Sequence, residues 1–267
     1  LPLDLSASIA KLARADEHFK VLQREVSGLF QEGSPNAATF SEINQANGWC
    51  SLFIPPLDKT RQEALGVIVG DFVHNLRCAL DYIVSTLAGA NLTQRHQFPI
   101  ADDRNWYLKN VGTHACAVAN GLLGGIAHGL QEFWDLQPFQ RGPDTEFDPL
   151  FSLNRFSNAD KHHLILSGGT APAGPGRVNL LANGKPIAID GGVDLGKWRP
   201  NENFEISRIR WATPYPTQYH LKGEITVEVF FLTPAFGKYP RWQMLSLNAL
   251  LGLHEHVSKI VDTFKAL

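Results

Sequence analysis

Between Ala64 and Thr86 the only formal charges are Asp71, Arg77 and Asp81, with no lysine and no glutamate. Surface helices lean on those two residue types, so a helix written in these letters has to run through the middle of a bundle. The stretch that holds it, about Arg61 to Ala88, follows the breaker Pro55-Pro56, and Thr60 with Glu63 gives the spacing of a capping box. At about 100° per residue, Phe72, Val73, Leu76, Ala79, Leu80, Ile83, Val84 and Leu87 share one arc. Asp71, His74, Asn75, Arg77, Cys78, Asp81 and Tyr82 share the other.

The rest of the chain supplies what such a helix needs around it. It has 267 residues, 44% of them apolar, enough to bury a substantial core. Ile9, Leu12, Phe19, Leu22, Val26 and Leu29 recur at helical spacing and predict an amphipathic helix from Leu5 to about Gln31. A hairpin is predicted over Thr39 to Ile54 around Asn47-Gly48, and helices within Val111 to Leu136 that end at Gln137-Pro138. Another helix is predicted from about Pro149 to Lys161, then a glycine- and proline-rich loop from Ser167 to Gly176. Arg177 to Leu181 and Pro186 to Asp190 flank Asn183-Gly184 as a second hairpin, and Phe204 to Trp211 and Lys222 to Thr233 read as strands. A last helix is predicted from about Pro240 to Phe264. The expected class is α+β: long N-terminal, central and C-terminal helices in a bundle, with an antiparallel sheet built from hairpins. A single domain spanning 1–267 is expected, with a helical core over 1–165 and 240–267 and a β insertion over about 166–239.

Lys and Arg number 24 against 26 Asp and Glu, a formal charge of −2, so no global field recruits DNA or an anionic membrane. The uncharged run Val111 to Gln131 contains five glycines with His114, Asn120 and His128, and reads as a buried segment rather than a membrane span. Cys50, Cys78 and Cys116 fit neither a disulfide framework nor a Cys-x-x-Cys zinc site. Reduced thiols and the lack of a basic-then-apolar leader point to the cytoplasm.

Two constellations carry chemistry. On the central helix, histidine passes protons, arginine holds a phosphate or carboxylate with a planar fork, and carboxylates orient either. His74, Arg77 and Asp81 are therefore candidate catalytic residues, and Asp71, Asn75 and Tyr82 candidate binding residues. The same stripe is equally a buried polar network that fixes helix packing, with Arg77 paired to Asp81 at i+4. The second constellation is Asn158-Ala159-Asp160-Lys161-His162-His163. Docked against the central helix, Asp160 would pair with Arg77, while Lys161 or His162 would complete a small-anion pocket lined also by Asn158. Adjacent histidines point about 100° apart, so no metal site is expected. No Gly-x-Ser-x-Gly elbow, His-Glu-x-x-His helix or dinucleotide fingerprint occurs, and no cofactor is expected.

The run DFVHNLRCALDY over Asp71 to Tyr82, then Phe98-Pro99-Ile100, Leu136-Gln137-Pro138-Phe139 and SNADKHH over Ser157 to His163 resembles a widespread bacterial family with no assigned activity. Its pattern reads HNLRSALDH, FPI, LQPY and SNIDKHR in that order, and KLARADEHF over Lys11 to Phe19 is similar as well. The central helix is also similar to the Arg-x-x-x-x-His signature of HEPN domains, helical bundles that often dimerise and in many cases cut RNA. That resemblance maps its arginine to Arg77 and its histidine to Tyr82, where a phenol stands in for the imidazole. It implies a homodimer and a metal-independent endoribonuclease of toxin or defence type. His74 or His162 would take the 2′-hydroxyl proton, and Arg77 and Lys161 would stabilise charge on the phosphate. Three readings stand open: a non-catalytic binding or assembly protein, that nuclease acting on RNA, and a small-anion-binding protein.

Overall fold

The helix short of lysine and glutamate is the axis of the molecule. The structure, a computed structural model, describes residues 3–29, 40–44, 49–89, 97–111, 127–163, 167–172, 177–182, 185–187, 202–210, 219–224, 227–233 and 243–266. Helix α1 (Ser6–Leu29) is followed by strands β1 (Phe40–Asn44) and β2 (Trp49–Ile54) and by the central helix α2 (Lys59–Ala88). Then come α3 (Arg104–Val111), α4 (Ala127–Asp135), a 3-10 segment over Pro138–Phe147 and α5 (Pro149–His163). Strands β3 (Ser167–Pro172), β4 (Arg177–Ala182), β5 (Lys185–Ile187), β6 (Phe204–Arg210), β7 (Tyr219–Glu224), β8 (Val227–Thr233) and β9 (Gln243–Ser246) precede the last helix, α6 (Leu247–Lys265). The class is α+β, as the periodicities predict.

Helix α2 packs against α1, α5, α6 and β3. Phe72, Val73, Leu76, Ala79, Leu80 and Ile83 have no exposed surface, and each large apolar side chain so buried contributes about 1.5–3 kcal/mol. Helix α1 runs antiparallel along α2, tied by Lys11 Nζ to Asn75 Oδ1 at 3.3 Å and by Thr86 Oγ1 to the Asp4 carbonyl at 3.3 Å. Its buried stripe is Ala15, Phe19, Leu22, Val26 and Leu29, whereas Ile9, expected on that face, is 44% exposed and lies about 100° around the helix from buried Ser8. Asp58, not Thr60, caps α2: its side chain accepts from the Arg61 N–H at 3.0 Å. Aspartate is the stronger N-cap, and using it places Thr60 inside the first turn.

Three antiparallel sheets are described, in the orders β1-β2-β6, β3-β8-β9 and β5-β4-β7. Both predicted hairpins form, although their Asn-Gly turns lie outside the described residues. Pairing crosses the expected boundaries of the β insertion, since β2 joins β6 and β9 joins β8. The stretch Lys222 to Thr233, expected as one strand, is two in different sheets, because Val229 and Phe231 of β8 enter the helical core while β7 pairs with β4. The first half of the expected glycine loop is β3, with Gly168 opposite Phe231 and Gly169 opposite Phe230. This strand, with Gly168 and Gly169 adjacent, packs against α2, and its partner lies too far along the chain for local patterning to reveal. The last helix starts at Leu247, where Ser246 caps it by accepting from the Ala249 N–H at 3.2 Å. Residues 112–126 of the uncharged run lie outside the described residues. Among the described residues, no helix is long and apolar enough to cross a membrane.

Candidate functional site

Arg77 faces inward from α2, 6% exposed, and its Nη2 is shared between Asp81 Oδ1 at 3.1 Å and the Phe98 carbonyl at 2.7 Å. Burial pulls the guanidinium down from its ordinary value, and Asp81 opposes that pull. The same Asp81 oxygen accepts the Phe98 N–H at 2.8 Å, so the ion pair grips both backbone groups of one residue. The Phe98 ring anchors the grip in the core, edge-on to Phe133 with centroids at 5.1 Å and to Phe264 at 6.3 Å.

Gln137 continues the grip along the same extended segment. It is 1% exposed, its Nε2 donates to the Pro99 carbonyl at 3.0 Å and to the Phe133 carbonyl at 2.6 Å, and its Oε1 accepts the Ala101 N–H at 2.8 Å. Four polar side-chain contacts and one ring thus fix Phe98 to Ala101 against α2 and the end of α4. A buried extended segment has to place its backbone groups somewhere, and here they go to Arg77, Asp81 and Gln137. The motifs around Arg77, Phe98 and Gln137 are therefore three parts of one clamp.

The outer side of α2 is a separate place. Asn75, 6% exposed, donates to the Asp71 carbonyl at 2.8 Å and accepts from Lys11. His74 and Asp71 are exposed, and Cys78, half-buried, lies with its sulfur 3.4 Å from His74 Nε2. Burial pushes the Cys78 thiol up, against the charges of Lys11 on α1 and Lys161 on α5. Asp160 on α5 is half-buried beside His74 and Asp71; desolvation raises its carboxyl above the ordinary value, against His74 and Lys161, and Asp71 adds to the rise. Lys161 is exposed and Asn158 half-buried, and the side chain of His162 lies outside the described residues.

The expected Arg77–Asp160 pair does not form. Asp160 instead sits on Gly70, where an added Cβ would meet its carboxylate. Gly70 and Arg77 are two turns apart on α2, about 10 Å, which exceeds the reach of that contact. Tyr82 is 39% exposed and about 140° around the helix from buried Arg77, so these two do not converge on one centre. Sequence reasoning missed Gln137, Lys11 and Cys78 as site residues. Cys78 had a signal, one helical turn after His74 on the polar arc; Gln137 had only its place beside a proline. Among the described residues, no group of three or more His, Cys, Asp and Glu side chains is placed to hold a metal ion.

Two predictions follow from the Asp160 contact. Gly70→Ala is expected to cost about 1 kcal/mol by forcing the Asp160 carboxylate aside, a loss that Asp160→Ala in the same chain relieves. Asp160→Asn is expected to raise Tm at neutral pH. The folded carboxyl ionises above its unfolded value, so wild type loses stability as pH rises through that window, and the advantage of the variant vanishes below the ordinary carboxylate range. Equal melting curves of wild type and Asp160→Asn at both pH values contradict this.

Comparison of the chain with protein-family models, with curated proteins and with solved structures returns no match.

Proposed function

We propose that the chain is a non-catalytic binding or assembly protein of the cytoplasm, in which the Arg77–Asp81–Gln137 network holds helices in register rather than performing chemistry. One observation carries this reading: Arg77 is buried and spends its Nη2 on Asp81 and on the Phe98 carbonyl. An arginine that stabilises a cleaved phosphate has to reach that phosphate, and a guanidinium 6% exposed is poorly placed to do so. The HEPN-like endoribonuclease reading also needs a base beside buried Arg77: of the two it names, His74 is exposed on the outer side of α2 and the side chain of His162 lies outside the described residues, while Tyr82, at the signature's histidine position, lies about 140° around the helix.

A second reading, small-anion binding, draws support from the outer edge of α2, where Lys11 of α1 bonds Asn75 and the charges of Lys11 and of Lys161 on α5 both act on the Cys78 thiol. The experiment that separates the three readings incubates structured RNA with wild type and with Arg77→Ala, without added metal, and follows melting with and without inorganic phosphate. No cleavage by either protein and no phosphate effect is the expected result. Cleavage lost in Arg77→Ala overturns the reading in favour of the nuclease, and a rise in Tm that saturates with phosphate overturns it in favour of the anion pocket.

A further inference from the structure

We draw no further inference here: the strongest candidate, the open pocket between the C-terminal part of α1 and the first turns of α2, lined by Arg24, Leu29, Arg61, Leu65 and Ile68, carries nothing, because Glu25 in the same lining and Asp58, 3.3 Å from Arg61, offset the two arginines and nothing in the structure shows what covers it.

Discussion

Asp81→Ala is expected to destabilise the protein by about 3–5 kcal/mol, more than any other single change outside the apolar core. The carboxylate neutralises a guanidinium that is 6% exposed and accepts the Phe98 N–H at 2.8 Å, and its loss strands both. The Asp81 side chain is itself 27% exposed, which screens the pair and holds the loss near the lower end of the range. Arg77→Leu is expected to cost less, since it removes the buried charge along with its partner's reason for being there. The double variant Arg77→Leu, Asp81→Ala is therefore expected to be more stable than Asp81→Ala alone, a sign reversal that a double-mutant cycle in urea reads directly. Additive losses would mean that the two side chains act independently and that there is no clamp.

Gln137→Ala carries the second large expectation, a loss of about 2–4 kcal/mol. Three backbone groups lose their partner at once, the carbonyls of Pro99 and Phe133 and the N–H of Ala101, in a place where water has almost no access. Each stranded group costs about 1–3 kcal/mol, and relaxation of the segment recovers part of the sum. Gln137→Glu separates the donor from the shape. A carboxylate still accepts from Ala101 but offers nothing to the two carbonyls and brings a charge into the interior, so it is expected to be no better than alanine. Recovery of wild-type stability in Gln137→Glu would contradict the geometry.

Much of this arrangement can be read from local spacing, and the exceptions share a cause. The central position of α2 is legible in the absence of lysine and glutamate between Ala64 and Thr86, and the Arg77–Asp81 pair in its i,i+4 spacing. Phe98 is legible as an apolar residue beside a proline, but its capture is not. The bonds that hold its segment span 17 to 38 residues, and no periodicity encodes them. Strand β3 was expected as a loop for the same reason: its glycines oppose Phe230 and Phe231 of β8, more than sixty residues along the chain. Asp160 illustrates a different failure. Its chemistry suits Arg77, yet its carboxylate occupies the gap left by Gly70, a steric feature that a search for matching charges passes over.

The motifs around Arg77, Phe98 and Gln137 acquire a physical meaning from these contacts. HNLRCALD supplies the ion pair, FPI the segment it grips, and LQP the glutamine that completes the grip. Of the remaining motif, SNADKHH, Asp160 sits on Gly70 at the other side of α2, and its carboxyl feels the charge of His74. One helix therefore presents two faces, a buried polar network inward and a half-buried thiol outward. The two faces are separable by mutation: Asp81→Ala is expected to lower stability, His74→Gln to leave it within about 0.5 kcal/mol of wild type.

Amide hydrogen exchange at Phe98 and Ala101 tests the clamp most directly. In wild type both amides are expected to be protected to nearly the level of the core of α2, although neither belongs to a helix or strand. In Asp81→Ala the Phe98 amide is expected to lose far more protection than global destabilisation accounts for, and in Gln137→Ala the Ala101 amide behaves in the same way. Exchange of both amides in wild type at the rate of an open loop would contradict the account, because Arg77 would then have no segment to hold and would be free for other chemistry.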